Sequence, residues 1–440
     1  MENPIAIEEP QAEYLAYTHP VVHLASGDNK DIALINLGIS EQTIHYNDAE
    51  VPKYQTKPYG LTYGNLAFLP RVIIDYGTTK IGTYLYSSDI LNKYDIFAGF
   101  AMNKDWDYDL FGIINYRQFR PTIFLEVYNK VLHHDEMDDF PLTETDTIYT
   151  NFKFKYDLTE VDLGLEFKLN DEHSFRSALI YNRYTARYQP EYTYQGQEFP
   201  SIKYTYFIGR AIQFAWNYRN LLPRATSEIN PAFGRLISLK YSREFNKFIS
   251  DFKLTNYGTW AEVFDHYNYG KLELEWKEYL ALLKNGRHAL NLHIQAGWID
   301  QPIHEFFNFY AGGLIGLRGY PFYSIEGRKM IIARVAYRFP IFNNMNLRLF
   351  HIQFDKLYLG TFFDYGNAFD EDALRLAQFK KTAGLELRMD LFSFYNFPTK
   401  IFLNAAYGFD EFTKQETDNT PLTYGKEWRY YLGISFGYFD

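Results

Sequence analysis

Apolar and polar residues alternate along most of the chain from about residue 70 onwards. In segment 161–169 every second residue is a large apolar one, and the residues between them are charged or glycine. Segments 271–277 and 290–298 repeat this alternation. Because successive side chains of a strand point to opposite faces, a period of two predicts strands with one apolar and one polar face. The pattern therefore predicts an all-β fold.

Counting the alternating segments predicts about sixteen strands, with about eleven before a long loop and about five after it. An even number suits a closed antiparallel transmembrane β-barrel, in which no strand edge stays unpaired inside the hydrocarbon. Segment 251–264 is predicted to be either one further strand or a long loop. The predicted strands lie at 71–77, 79–88, 94–104, 107–118, 121–132, 148–169, 173–186, 203–218, 233–246, 267–282, 288–299, 330–339, 356–366, 382–392, 399–408 and 428–439.

Composition supports a membrane barrel and leaves one alternative open. The chain has 440 residues, no cysteine, and 19% aromatic residues, and its mean hydropathy is -0.35. No apolar run is long enough for a transmembrane helix, whereas abundant Tyr and Phe fit the aromatic girdles of outer-membrane barrels. A soluble all-β binding protein is the alternative. The formal net charge of -10 argues against a nucleic-acid partner, because phosphate binding needs a basic surface.

The chain is predicted to have two parts. Residues 1–60 are rich in proline and acidic residues, and we interpret them as a periplasmic lead-in or the remnant of a preceding β domain. Residues 61–440 carry the alternating segments and are predicted to form the barrel. Within it, residues 301–329 interrupt the alternation and are predicted to form a long loop between two strands.

This loop contains the most unusual motif of the sequence. The pair Gly312-Gly313 is followed by Arg318, Gly319 and Tyr320 within a Leu-Arg-Gly-Tyr tetrapeptide. Glycines let the backbone turn sharply, and a confined guanidinium needs a carboxylate partner. The functional interpretation is a loop folded into the lumen. The alternative is a surface hairpin with an exposed arginine.

The end of the chain carries a second motif. In segment 430–439 large apolar residues alternate with small ones, and aromatic residues stand near the terminus. The spacing of Gly433, Phe436 and Tyr438 is similar to the carboxy-terminal assembly signal of outer-membrane proteins.

These motifs, with Tyr-Arg-Phe-Pro at 337–340 and Phe-x-Asp-x-Gly at 362–366, resemble the barrel of the outer-membrane assembly-factor superfamily, the bacterial surface antigen proteins. The resemblance implies the outer membrane of a Gram-negative envelope. It also implies that the loop folds into the lumen and that Arg318 pairs with Asp364 on the wall. Sixty residues are too few for the periplasmic transport-associated repeats of that family, so we expect a variant without them in this chain.

The resemblance implies a barrel that aids insertion or transport of polypeptides, or lipid, at the outer membrane. The implied partners are outer-membrane lipid, unfolded outer-membrane or secreted polypeptides, and periplasmic accessory proteins. A passive channel or structural barrel is the alternative. No catalytic motif stands out, so we expect no enzyme and no cofactor. The acidic and histidine residues at 133–139 could bind a metal ion, but we interpret them as a solvated loop tip and expect no metal.

Overall fold

The structure is a computed structural model. It describes residues 66–75, 78–141, 147–191, 193–194, 197–198, 201–221, 231, 233–256, 258–282, 288–393, 397–415 and 421–436. Contacts divide the chain into residues 1–61 and 62–440, and the fold below is that of the second unit. The predicted lead-in, residues 1–60, lies outside the described residues and stays a prediction.

Sixteen long strands, β1–β16, follow one another along the chain, and they carry the alternating sequence pattern. Their bounds are Ala67–Asp75 (β1), Thr78–Ser88 (β2), Tyr94–Met102 (β3), Tyr108–Tyr116 (β4), Thr122–Pro141 (β5), Thr147–Lys168 (β6), His173–Pro190 (β7), Ile202–Leu221 (β8), Gly234–Leu254 (β9), Trp260–Ala281 (β10), Ala289–Ile299 (β11), Lys329–Phe342 (β12), Ile352–Phe369 (β13), Lys380–Ser393 (β14), Phe397–Gly408 (β15) and Trp428–Phe436 (β16).

Each long strand pairs antiparallel with the next one along the chain, from β1 to β16. The short strand Leu347–Leu349 joins the same sheet beside β13 and brings it to 17 strands. The all-β antiparallel prediction is therefore confirmed. The helices of the described residues are three single 3₁₀ turns, and none of them is long and apolar enough to cross a membrane. The described residues show no pairing between β1 and β16, so closure of the barrel stays a prediction.

The predicted order of elements matches the structure, and two local interpretations are wrong. Eleven long strands precede the loop at 300–328 and five follow it. Segment 251–264 is neither an extra strand nor a long loop, because it forms the paired ends of β9 and β10 around a short turn. Segment 133–139 is not a loop tip, because it lies within β5 and pairs with β6.

Strands β5–β10 continue well past their neighbours at the end of the sheet that carries the loop. The last pair between β4 and β5 is Tyr108 with Val131, whereas β5 continues to Pro141. On the other side, β11 ends at Ile299, opposite Lys271, whereas β10 begins at Trp260. About ten residues of strand span a bilayer core, so these paired ends rise beyond the membrane-spanning part. We call them the extension.

The two faces of the sheet differ as the alternation predicts. On β6, Leu163, Leu165 and Phe167 are exposed, whereas Asp162 and Gly164, at alternating positions, are buried. Exposed apolar residues recur on the same face of the neighbouring strands, for example Leu179 of β7. A continuous exposed apolar face beside a polar buried one is the arrangement of a lipid-facing sheet with a wet interior.

The sheet is curved, and the loop lies on its concave face. The Phe307 ring packs at a tilt against Phe207 of β8, with 5.6 Å between ring centroids, while Tyr431 of β16 donates a hydrogen bond to the Arg318 carbonyl. In a flat sheet, β8 and β16 would stand roughly 38 Å apart at about 4.8 Å per strand. The loop between Phe307 and Arg318 is not extended, because the Leu317 amide folds back onto the Ala311 carbonyl. Curvature must therefore bring β8 and β16 close.

We expect the purified protein to require detergent and to migrate differently in gels before and after boiling. The physical reason is a continuous hydrogen-bonded sheet whose exposed face is apolar. Gel electrophoresis of boiled and unboiled samples, beside solubility without detergent, checks this expectation. Solubility in plain buffer together with identical migration would contradict the membrane-barrel prediction.

Candidate functional site

The inward loop, residues 300–328, connects β11 to β12 and contains short ordered pieces. One 3₁₀ turn covers Glu305–Phe307 and another covers Phe322–Ser324. Phe309–Tyr310, after the first turn, pairs with Glu326–Gly327, after the second, as a two-stranded ribbon. These local hydrogen bonds give the loop a fixed shape, so it can place individual side chains against the wall.

Aromatic side chains fix the first part of the loop to strands β7–β10. Phe307 is buried in a cluster with Phe207 and Tyr269. The neighbouring Phe306 lies over Phe248, with ring centroids 4.9 Å apart. Such ring pairs stabilise by about 0.5–1.5 kcal/mol each beyond the area they bury. This end of the loop is therefore held by apolar contact.

A tight turn then presents the arginine. Gly313 has φ of 82°, a left-handed conformation that favours glycine. Its amide donates to the Tyr320 carbonyl at 2.8 Å, and the Gly316 amide donates back to the Gly313 carbonyl at 3.1 Å. Arg318 follows with its backbone already positioned by these bonds.

Arg318 and Asp364 form a buried, two-pronged ion pair. Arg318 Nε donates to Asp364 Oδ2 at 3.1 Å, and Nη2 donates to Oδ1 at 2.9 Å. The side chains are 4% and 0% exposed. The planar guanidinium fork matches the carboxylate, which makes this geometry stronger than a single charged hydrogen bond. The guanidinium carbon also lies 3.2 Å from the centroid of the Phe362 ring.

Three further arginines share the carboxylates of this site. Arg334 Nε donates to Asp364 Oδ1 at 2.8 Å, and its Nη2 donates to the Gly316 carbonyl at 2.6 Å. Glu386 of β14 accepts from Arg338 at 2.7 Å and pairs with Arg388 at 3.1 Å. Arg318 Nη1 lies 3.8 Å from Glu386 Oε2. The network thus connects the loop with β12, β13 and β14.

The residues after Arg318 join the loop to the last strands. No room exists for a side chain at position 319, since a Cβ there would lie 2.5 Å from the Gly408 amide nitrogen. Tyr320 is fully buried, and its hydroxyl donates to the Asp410 carbonyl at 3.0 Å. Tyr431 of β16 donates to the Arg318 carbonyl at 2.8 Å. The loop therefore contacts every strand from β13 to β16.

A model of the Omp85 superfamily domain matches residues 133–438, which is more than half of the chain. The chain belongs to the Omp85 superfamily. This confirms the family predicted from the loop and strand motifs, and with it the location in the bacterial outer membrane. Comparison with curated protein sequences finds no match.

Several solved structures are similar to this chain. BamA from Haemophilus ducreyi lacking POTRA domains 1-3 matches with a TM-score of 0.51 and 11% identity, over 85% of this chain and 70% of that one. CdiB from Escherichia coli matches with a TM-score of 0.46 and 12% identity, over 81% of this chain and 60% of that one. CdiB from Acinetobacter baumannii matches with a TM-score of 0.47 and 10% identity, over 85% and 59%. The chain spans less than two thirds of either CdiB.

The residues predicted for the Omp85 loop lie together, and others at the site were missed. Gly312, Gly313, Arg318, Gly319 and Tyr320 form one turn, and Asp364 lies against it. Sequence reasoning did not find the second carboxylate or the other contacts, although one of them lies in the quoted Tyr-Arg-Phe-Pro motif. The missed residues are Arg334, Arg338, Glu386, Arg388 and Tyr431.

The terminal motif and the metal candidate are described only in part. Gly433 lies in β16, opposite Phe402 of β15, and Phe436 ends that strand, whereas Tyr438 lies outside the described residues. Within segment 133–139, His133 Nδ1 lies 2.6 Å from Asp107 Oδ1. The described residues contain no group of three or more metal-binding side chains. The role of the terminal motif stays a prediction.

We expect Asp364→Ala to destabilise the barrel more than Arg318→Ala. Removing Asp364 leaves Arg318 with Glu386 at 3.8 Å as its carboxylate neighbour, and breaking a buried pair costs about 3–5 kcal/mol. Removing Arg318 leaves Asp364 paired with Arg334, so the loss should be nearer about 1.5–3 kcal/mol. The temperature at which the unboiled gel species disappears measures both variants. Equal losses, or the reverse order, would contradict the shared-carboxylate network.

We expect Gly319→Ala to loosen the inward loop, because its Cβ would meet the backbone of Gly408. Overpacking of this kind costs about 1–3 kcal/mol. Limited proteolysis between residues 300 and 328 should become faster. Gly112→Ala is the matched control, since nothing lies within 4 Å of a Cβ at that position. If both variants resist protease like the wild type, the close packing at Gly319 does not hold the loop.

Proposed function

We propose that this Omp85 barrel aids the insertion or transport of polypeptides at the outer membrane. The supporting observation is that the inward loop is held at both ends, by the aromatic cluster near β8 and by Arg318 near β13–β16. The partners are unfolded outer-membrane or secreted polypeptides, together with outer-membrane lipid. A passive channel does not need a loop that links the last strand, β16, with the strands near β8.

The proposed working part is the seam between β1 and β16. The outward side chains of these two strands are among the most exposed apolar ones, with Leu432 at 76% and Phe68 at 63%. Strand edges present unpaired amides and carbonyls that can pair with an incoming strand. The bond from Tyr431 to Arg318 connects β16 to the loop, so the loop braces one side of this seam.

A passive channel is the competing function, and Arg318→Ala separates the two. Cells that carry Arg318→Ala and are depleted of the wild-type protein should contain several-fold less of their other outer-membrane barrels in folded form, because the loop no longer braces β16. The amount of heat-modifiable barrels in isolated outer membranes measures this.

Arg328→Ala is the matched control. Arg328 is also in the inward loop, but its ion pair with Asp370 is near the surface and outside the network. Cells carrying this variant should assemble their barrels normally. Normal assembly with Arg318→Ala present in wild-type amounts would exclude the assembly function and favour the passive channel.

A further inference from the structure

Three basic residues lie directly opposite one another on the outer face of the extension. Lys155 of β6 pairs in register with Arg187 of β7, and Arg187 pairs with Lys203 of β8. We call these three residues the basic row. Directly opposed side chains have Cβ atoms about 4.5–5.5 Å apart, and like charges at that distance destabilise a sheet. The arrangement therefore needs a physical reason.

Several other cross-strand pairs of this sheet combine opposite charges. Arg235 of β9 stands opposite Glu278 of β10, and the two form an ion pair. Arg334 of β12 stands opposite Asp364 of β13, again as an ion pair. The basic row differs from these pairs, and it lies in a chain whose formal net charge is -10.

No acid of the described residues forms an ion pair with the row. Lys155, Arg187 and Lys203 are exposed and form no ion pair or hydrogen bond through their side chains with any described residue. The nearby carboxylates have other contacts, because Asp157 accepts from Asn129 at 2.9 Å and Glu262 accepts from the Thr205 amide at 3.0 Å. Three unpaired cations side by side form a surface that fits an anion with several charges.

A β-bulge brings the third cation into line. The register between β7 and β8 shifts between Thr205 and Phe207. Without the extra residue, Lys203 would face the inner side, since a shift of one residue exchanges the faces of a strand. The bulge therefore places Lys203 beside Arg187 on the outer face.

The row lies above the lipid-facing surface on the same strands. On β7, the exposed residues Leu179 and Tyr181 lie on the same face as Arg187. Arg183 lies on this face between Tyr181 and Arg187. Six residues separate Tyr181 from Arg187, which is roughly 15 Å along the membrane normal for a strand tilted about 40°. A phospholipid headgroup region is only about 5–8 Å deep on each side. An anion at the row must therefore extend further from the hydrocarbon than a phospholipid phosphate does.

We propose that the basic row binds phosphate groups on the sugar headgroup of a glycolipid in the outer leaflet. The positive charge of the row favours phosphate groups as its ligand. The height of the row above the hydrocarbon favours a sugar-based headgroup over a phospholipid headgroup. Exposed Arg183 lies between the row and the apolar surface, and exposed Arg210 stands opposite Tyr181 at the edge of that surface. Both can contact the lower part of the same headgroup. This inference does not depend on the function proposed for the inward loop.

The test compares the triple variant Lys155→Gln, Arg187→Gln and Lys203→Gln with the wild type in phosphatidylcholine nanodiscs. Five separate samples are compared. They are discs without addition, discs with rough-type lipopolysaccharide, discs with its dephosphorylated form, discs with phosphatidylglycerol, and plain discs with inorganic phosphate in the buffer. The temperature at which the unboiled gel species disappears is measured at low and high salt. The matched control neutralises three exposed lysines that lie apart, Lys104, Lys168 and Lys253.

Phosphorylated lipopolysaccharide should raise the unfolding temperature of the wild type and the control by several degrees, since a ligand stabilises the state that binds it. The rise should shrink at high salt and disappear in the row variant. Without additions, the row variant should be at least as stable as the wild type, because neutralisation removes repulsion. Should the triple variant fold poorly, Arg187→Gln alone must reduce the rise.

Several results would overturn the proposal. An equal rise of the unfolding temperature with phosphatidylglycerol or free phosphate would contradict selection by height. An equal rise with dephosphorylated lipopolysaccharide would contradict selection by charge. An absent rise in the wild type, a full rise in the row variant, or an equal loss in the lysine control would each exclude the row as the binding surface.

Discussion

The burial of one guanidinium, that of Arg318, is the constraint on which the arrangement of the second half of the sheet depends. A charged group with 4% of its side chain exposed is stable only where carboxylates and an aromatic face replace its water. Asp364, Glu386 and Phe362 supply them from β13 and β14. The loop, these two strands and the last strand must therefore keep fixed positions relative to one another.

The network contains more arginines than acids, and this imbalance gives the carboxylates the larger role. Asp364 serves Arg318 and Arg334, whereas Glu386 serves Arg338 and Arg388 and lies near Arg318. Each arginine can be lost without leaving an acid unpaired, but each acid holds at least two cations. Buried ion pairs often add little net stability compared with apolar packing. Here the main contribution of the ion pairs is to position the loop, because they hold it in one location.

Sequence reasoning could recover the order of the strands and the loop, because alternation and glycine-rich turns are local signals. The pairing of Arg318 with Asp364 came from family motifs at two separate sites in the chain. Glu386 and Tyr431 have no such motif, and their contacts depend on cross-strand register and curvature, which a single sequence does not specify. Part of the extension was also missed. The predicted strands stop at 132 in β5 and at 246 in β9 and begin at 267 in β10, because the regular alternation of apolar and polar residues ends there.

One bulge in β8 influences both surfaces of the wall. On the inner side it lets the consecutive residues Tyr206 and Phe207 both face inwards, where Tyr206 lies 6.4 Å from Phe248 and Phe207 lies 5.4 Å from Phe306 of the loop. On the outer side the same extra residue aligns Lys203 with Arg187. Deleting one residue there would withdraw an aromatic ring from the loop and a cation from the basic row together. The anchoring of the loop and the outer charge pattern are therefore geometrically coupled through the register of a single strand.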